Sequence, residues 1–215
     1  MRFANQPILA GFIFLTLGIA GCATSLAPTG TQAVTPSAAT QQKTEAVVSP
    51  PVQRDFSNAL NAIKLGRYQD AERVLLALTR EHPELSGPYA NLGIVYYRLN
   101  KLPEAVESLK KAIEVNPDRA AYFNQLGIVY RQSGQLDKAR ESYARALQID
   151  PLYSNSHLNI GILYDLYLQE PGKALQHYER YQALLPAADA QVNKWIVDLK
   201  QRHQPSDKTA LRSDR

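Results

Sequence analysis

A 34-residue pattern occurs twice in succession in the middle of this chain, between residues 88 and 151. The first copy contains the segment YANLGIVY, which begins at Tyr89, and the second contains FNQLGIVY, which begins at Phe123. A proline closes each copy, at Pro117 and Pro151, and proline cannot continue the hydrogen-bond ladder of an α-helix. A fixed period of this length, built from two helical halves, is typical of a helix-turn-helix solenoid. The sequence therefore predicts an all-α fold in which each repeat buries its apolar face against its neighbours.

Small residues recur in each copy where two packed helices are expected to cross. Gly93 is followed twelve residues later by Ala105, and Gly127 is followed at the same distance by Ala139. Together with the aromatic residue, the Leu-Gly pair, the tyrosine and the closing proline, this spacing resembles the tetratricopeptide repeat family. The resemblance implies a right-handed helix-turn-helix solenoid. It also implies that the first helix of each repeat lines a concave groove, which commonly holds an extended or helical peptide.

The same register continues on both sides of the two clear copies, so we predict about four repeats and a C-terminal capping helix. The first repeat keeps Ala59, Ala71 and Pro83 but lacks the glycine, as expected of a terminal repeat. The fourth carries one extra residue in the turn near 169–172. Apolar residues at helical spacing after Pro186 predict the helix that closes the open end. The predicted boundaries are 52–202 for the domain, 52–85, 86–119, 120–153 and 154–186 for its repeats, and 187–202 for the cap.

The N-terminus has the features of an export signal that ends in a lipid-attachment site. An apolar run from Ile8 to Ile19 follows a basic residue and is too short to span a membrane. It ends in the sequence IAGC at 19–22, which resembles the lipobox of bacterial lipoproteins. We therefore predict a signal peptide over 1–21 and acylation of Cys22. The alternative is that Cys22, the only cysteine of the chain, is a chance thiol beside an ordinary cleavage site.

Two segments outside the repeats are predicted to be disordered. Residues 22–51 are mostly Ala, Thr, Ser, Pro and Gln, and such a composition cannot bury enough surface to offset the entropy of ordering. We interpret them as a lipid-anchored tether, which as a flexible coil has a root-mean-square reach of roughly 30 Å. The polar tail over 203–215 is assigned to the same class. Ala23 stands where inner-membrane lipoproteins tend to carry Asp, so the resemblance implies the periplasmic side of the outer membrane.

The sequence shows no recognisable catalytic constellation, so we predict that the protein is not an enzyme and holds no cofactor and no metal. It has neither a Gly-rich phosphate loop nor a Gly-x-Ser-x-Gly motif, and its four histidines fall in different helices or in the tail. The formal net charge of +4 is modest and evenly spread. That distribution argues against nucleic acid as a partner.

The repeat register also predicts which side chains line the groove that the resemblance implies. One aliphatic row directly follows the glycine position of each repeat, flanking rows lie one turn away, and a further row carries amides that can pair with a peptide backbone. The predicted groove residues are Phe56, Leu60, Asn91, Ile94, Tyr97, Asn124, Gln125, Ile128, Arg131, Leu158, Asn159 and Ile162. The competing interpretation is that the aliphatic row packs between adjacent first helices and that the amides are ordinary for the family.

These features predict a non-catalytic scaffold for protein–protein interaction in the bacterial envelope. Its partner would be a protein or peptide segment of mainly apolar character, and the lipid would attach the scaffold to the membrane. Two functions remain open at this point. The first is an assembly adaptor for a pilus, a secretin or another outer-membrane complex. The second is a docking or regulatory subunit that recruits a periplasmic enzyme such as a peptidoglycan hydrolase.

Overall fold

The computed structural model describes residues 49–203, which form nine α-helices and no strand. The helices are α1 (Pro50–Lys64), α2 (Tyr68–Glu81), α3 (Ser86–Arg98), α4 (Leu102–Val115), α5 (Ala120–Gln132), α6 (Leu136–Ile149), α7 (Ser154–Leu166), α8 (Pro171–Ala183) and α9 (Ala190–His203). Each odd-numbered helix up to α7 pairs most closely with the helix that follows it. The odd-numbered helices also contact each other in order, α1 with α3, α3 with α5 and α5 with α7. The prediction of an all-α helical-repeat fold is therefore confirmed.

Several sequence predictions lie outside these described residues. They are the signal peptide, the lipidation of Cys22, nearly all of the tether, and the tail beyond residue 203. Within residues 49–203, none of the helices is both long and apolar enough to cross a bilayer.

Two helix ends extend into the segments that were predicted to be disordered. Helix α1 begins at Pro50, inside the predicted tether, because proline fits the first helical positions, where its missing N–H would have no partner. Helix α9 begins at Ala190 and includes His203, the first residue of the predicted tail. The predicted disorder is thus corrected at residues 50, 51 and 203, which are helical.

In the second, third and fourth repeats, the glycine of the first helix leaves room for a large side chain from the second helix of the same repeat. A Cβ atom on Gly127 would lie only 2.5 Å from Cε1 of Tyr143, and one on Gly93 would lie 2.5 Å from Cγ of Leu109. Both of these large side chains are completely buried. The sequence predicted a close approach between the glycine and an alanine twelve residues later. The structure instead places the larger residue directly against the glycine, and the alanines are buried in the same core.

A residue with positive φ follows the first helix of every repeat. These residues are Gly66 (φ 72°), Asn100 (φ 58°), Gly134 (φ 74°) and Gln169 (φ 53°). Glycine adopts this conformation without steric cost, and asparagine adopts it more readily than most residues. In the fourth repeat two residues, Tyr167 and Leu168, separate the helix end from the positive-φ residue, where the third repeat has only Ser133. The extra residue therefore lies in this turn, and it leaves Leu166 and Tyr167 exposed at its edge.

Helix α9 packs on α8 and covers the last repeat. Its start is capped by Asp189, whose Oδ1 accepts the backbone N–H of Gln191 at 2.8 Å and that of Val192 at 3.1 Å. An aspartate in this position supplies acceptors for N–H groups that have no partner within the helix. Val192, Ile196 and Leu199 are buried against the core of the preceding repeats.

Candidate functional site

The predicted groove residues all belong to α1, α3, α5 and α7, the first helices of the four pairs. We call the surface that these helices form the first-helix face. All but one of the predicted residues are partly exposed on it, the exception being Asn124. The structure therefore brings these side chains onto neighbouring helices, while their role in binding a peptide stays a prediction.

The aliphatic row is divided between the core and the surface. Ile128 and Ile162 are half-buried and pack against the main buried cluster, and so does Leu158. Ile94 and Leu60 are also half-buried, but they are not among the side chains that pack against the buried clusters of residues 49–203. Ile128 and Ile162 thus have the packing that the competing interpretation predicts, whereas the groove role of Ile94 and Leu60 stays a prediction.

Asn124 is a correction to the predicted groove, because only 2% of its surface is exposed. Its Oδ1 accepts a hydrogen bond from Ser156 Oγ at 3.2 Å and one from Asn159 Nδ2 at 3.0 Å. A buried amide needs partners for its polar atoms, and these two bonds join α5 to α7. Asn124 is thus an internal link between repeats rather than a surface contact for a peptide.

The other predicted amides differ in whether their side chains already form hydrogen bonds within the protein. Asn91 donates from Nδ2 to the carbonyl oxygen of Gly87 at 2.9 Å, within its own helix. Asn159 uses its Nδ2 in the bond to Asn124. The side chain of Gln125 makes no hydrogen bond to any group in residues 49–203, so it is the amide best placed to pair with a partner's backbone.

A polar cluster lies one helical turn beyond Gly127 on the first-helix face. We call it the Arg131 cluster, and it consists of Tyr97, Arg131, Tyr143 and Tyr167. The guanidinium carbon of Arg131 lies 5.9 Å from the centre of the Tyr167 ring, a cation–π distance. Within residues 49–203 the Arg131 side chain forms no ion pair and no hydrogen bond, although it is half-buried.

The hydroxyl of Tyr143 is the second unusual group in this cluster. It is buried and has no hydrogen-bond partner. Burial raises the pKa of the Tyr143 phenol well above its ordinary value, and the nearby positive charge of Arg131 opposes that shift. The hydroxyl therefore keeps its proton and remains a donor without an acceptor, which is a costly state for a buried polar group.

The sequence predicted Tyr97 and Arg131 as groove residues but missed Tyr143 and Tyr167. Tyr143 occupies the same register position as Leu109, and a position that takes leucine in one repeat is typical of a core residue. The sequence signal that could have identified Tyr143 is its hydroxyl. Leucine fills the equivalent core position of the second repeat, so packing alone does not explain a polar atom in the third. The position of the Tyr167 side chain depends on the extra residue in the turn of the fourth repeat. The sequence of a turn of irregular length does not show where its side chains point.

The fourth repeat contains the counterpart of this arrangement with its polar groups satisfied. Tyr178 corresponds to Tyr143, and its hydroxyl donates to Oδ2 of Asp165 at 3.3 Å. Arg202 of the capping helix donates to Oδ1 of the same carboxylate at 3.4 Å. Asp165 stands 34 residues after Arg131 in the repeat register. The fourth repeat thus has an acidic side chain, Asp165, at the register position where the third repeat has a basic one, Arg131.

Two histidines that the sequence placed apart are in contact between α7 and α8. Nδ1 of His157 lies 3.0 Å from Nδ1 of His177, and Nε2 of His157 lies 3.2 Å from the carbonyl oxygen of Pro151. Because a carbonyl only accepts, His157 carries its proton on Nε2, and His177 donates from Nδ1. Burial, and then the neighbouring His157, lower the pKa of His177 to about 4. Within residues 49–203 no three His, Cys, Asp or Glu side chains come together in a way that could hold a metal.

The comparisons with known proteins agree with this architecture. Residues 90–154 match the family described as tetratricopeptide repeat. A tetratricopeptide repeat protein of Thermus thermophilus, TTC0263, is 25% identical over 70% of this chain and 81% of its own, with a TM-score of 0.63. The pilF protein of Pseudomonas aeruginosa is 22% identical over 70% of this chain and 69% of its own, with a TM-score of 0.65.

A third solved structure is YrrB, described as a tetratricopeptide repeat protein with an unusual peptide-binding site. It is 21% identical over 70% of this chain and 74% of its own, with a TM-score of 0.56. No curated protein matches the chain. The family match over residues 90–154, which spans most of the second and third repeats, and the helical-repeat fold shared with these structures together support the tetratricopeptide repeat family for this chain.

Proposed function

We propose that this protein is a non-catalytic scaffold for protein–protein interaction, held in the bacterial envelope by a lipid on Cys22. Its role is that of an assembly adaptor, which binds a segment of another envelope protein during construction of a pilus, a secretin or another outer-membrane complex. The observation that carries the proposal is the first-helix face. It combines half-exposed aliphatic side chains with the Arg131 cluster, in which Arg131 and the Tyr143 hydroxyl make no hydrogen bond or ion pair within residues 49–203.

The chemistry of this face suits recognition of a polypeptide. Ile94 offers apolar surface, Gln125 offers an uncommitted amide, and Tyr97 combines an aromatic ring with a polar tip. Aromatic and arginine side chains are the residues that most often dominate binding energy at protein interfaces. YrrB, which has the same fold, is described as having a peptide-binding site. The envelope location rests on the likeness of the IAGC sequence to a lipobox.

Photo-crosslinking in the bacterium tests the proposal directly. A photoreactive phenylalanine analogue is placed at Tyr97 of the full chain, and in a separate strain at Glu141, an exposed residue of the second helix α6. We expect a discrete adduct with an envelope protein from position 97 and none from position 141. Equal labelling from both positions, or labelling from neither, would contradict the scaffold function.

The identity of the adduct then distinguishes the adaptor from the other function that the sequence left open. A component of a pilus, a secretin or another outer-membrane assembly supports the adaptor role. A peptidoglycan hydrolase or another periplasmic enzyme would replace it with the role of a docking subunit.

A further inference from the structure

The Arg131 cluster contains a positive charge and a hydrogen-bond donor that nothing in residues 49–203 satisfies. Arg131 is half-buried and makes no ion pair and no hydrogen bond within residues 49–203, and its cation–π contact with the Tyr167 ring neutralises no charge. The Tyr143 hydroxyl is buried and has no acceptor. Both groups are donors, since arginine has no acceptor atom and the phenol keeps its proton. An incoming group that satisfies both must therefore accept hydrogen bonds, and the uncompensated charge favours an anion.

The fourth repeat shows which chemical group suits this environment. There, the equivalent tyrosine, Tyr178, donates to the carboxylate of Asp165, and an arginine, Arg202, donates to the other oxygen of that carboxylate. The third repeat has the tyrosine and an arginine, but it lacks the acid, because Arg131 itself stands at the position of Asp165. Asp165 is engaged by its own partners. The carboxylate that completes the third repeat has to come from elsewhere.

We propose that the Arg131 cluster is a receptor for the carboxylate of an acidic side chain on the partner protein. The inference rests on the proposed scaffold function and adds the chemistry of one contact. Arg131 binds the carboxylate through its guanidinium, and the Tyr143 hydroxyl donates the second bond. Ile128 and Tyr97 lie on the same face and pack against the core. The partner segment accordingly carries one acidic residue flanked by apolar residues.

The side chain that has to move to admit a carboxylate at Arg131 is the Tyr167 ring, which lies against the guanidinium. Tyr167 is 47% exposed and lies on the turn that the extra residue lengthens. Exposed side chains change rotamer within picoseconds to nanoseconds, so rotation of the Tyr167 ring off Arg131 needs no change in the backbone. An arriving carboxylate exchanges a cation–π contact for a charged hydrogen bond, which is the stronger interaction.

The test is a titration of the isotope-labelled chain with two small probes, followed by NMR at the Arg131 side chain. The first probe is N-acetylglutamate N-methylamide, and the second is the glutamine analogue, which has the same shape but no charge. We expect the glutamate probe to shift the Arg131 Nε–Hε signal with a dissociation constant of roughly 1–10 mM. The glutamine probe should cause no saturable shift. Equal responses to the two probes would overturn the proposal.

Substitutions assign the binding to the two named groups. Arg131→Gln and Tyr143→Phe should each weaken glutamate binding by roughly tenfold, as expected for the loss of a hydrogen bond to a charged group. For Arg131→Gln the signals of neighbouring backbone amides report binding. Arg98→Gln, which removes an exposed arginine beside Tyr97, is the matched control and should leave the affinity unchanged. Unchanged affinity in either cluster variant would contradict the proposal.

Melting temperatures distinguish two roles of the Tyr143 hydroxyl, which either binds a ligand or only stabilises the fold. Tyr143→Phe removes a buried group that has no partner, so its melting temperature should stay the same or rise. Tyr178→Phe removes a hydroxyl that donates to Asp165, so its melting temperature should fall while glutamate binding persists. A fall for Tyr143→Phe of the same size as for Tyr178→Phe would show that its hydroxyl already has a partner within the chain.

The outcome is distinguishable from failure of the scaffold function. If the adduct from position 97 forms equally well in the Arg131→Gln variant, the scaffold function is supported and the carboxylate receptor is contradicted. If glutamate binds the cluster but no adduct forms in cells, the cluster does bind a carboxylate, but the scaffold role is contradicted and so is the assignment of that carboxylate to a partner protein. If the chain's own residues beyond 49–203 already occupy the cluster, the full chain will not bind the glutamate probe, and the proposal falls.

Discussion

Gly127 illustrates how a single residue sets the distance between two helices. A Cβ atom there would lie 2.5 Å from Cε1 and 2.7 Å from Cδ1 of Tyr143. The Tyr143 ring is completely buried, so any shift of the ring away from a new Cβ has to be accommodated inside the core. The hydroxyl on that ring belongs to the Arg131 cluster, so the same glycine that permits close packing also positions a polar group of the candidate site.

Gly127→Ala should therefore destabilise the fold, even though alanine normally favours a helix. Overpacking typically costs about 1–3 kcal/mol, and each kcal/mol lowers the melting temperature of a domain of this size by roughly 2–4 °C. The control is Gly172→Ala in the first turn of α8, where a Cβ atom would meet nothing within 4 Å. Thermal unfolding followed by circular dichroism should show a clear loss for the first variant and none for the second. Identical melting temperatures would refute this account of the packing.

His177 adds a pH-dependent contribution to stability. Its folded pKa of about 4 is below the ordinary value, mainly because of burial. Between these two values the unfolded chain binds more protons than the folded one, so stability falls as the pH is lowered from about 6.5 towards 4. From pH 7 to pH 5, we expect the melting temperature of the natural chain to fall by roughly 2–4 °C more than that of His177→Phe. Parallel pH profiles would contradict the prediction.

At the scale of the helices, the 34-residue interval predicted most of what the structure shows. Glycine, proline and apolar spacing act locally, so they indicate where a helix starts, ends and buries its face. The extra residue in the fourth repeat was predicted from the same register. The contact between His157 and His177 was not, because it depends on how α7 and α8 pack. The candidate site was predicted in part, since Arg131 was named from its register whereas the unpaired hydroxyl of Tyr143 required the packed structure.

The capping helix provides a prediction at this scale. Asp189→Ala removes the acceptor for the backbone N–H groups of Gln191 and Val192, and loss of such a cap should lower the melting temperature by roughly 2–4 °C. Trp195, the only tryptophan of the chain, lies 5.5 Å from the Tyr178 ring, so its fluorescence reports whether α9 is docked. On heating the variant, we expect the change in tryptophan fluorescence to occur at a lower temperature than the loss of total helix measured by circular dichroism. A variant that melts like the natural chain by both probes would show that the cap does not hold α9.

At the scale of the whole molecule, the proposed function joins a lipid anchor to a binding face made from four different repeats. No single helix contains that face, because each first helix contributes one position to each row and only the stacked helices assemble the rows. The anchor gives a separate prediction. Cys22→Ser should abolish incorporation of labelled fatty acid and release the protein from membranes into the soluble fraction. Labelled fatty acid on the variant would contradict lipidation at this residue.

The most direct test of the central claim, that the first-helix face binds a partner, is the effect of Ile94→Asp on partner recovery. Ile94 is half-buried on α3 and is not among the side chains that pack against the buried clusters of residues 49–203. A charge there should disturb binding much more than folding. Recovery of the partner identified by crosslinking should fall roughly fivefold or more, with the melting temperature nearly unchanged. Full recovery with the charged variant would show that the partner binds elsewhere, and a large loss of stability would show that Ile94 belongs to the core.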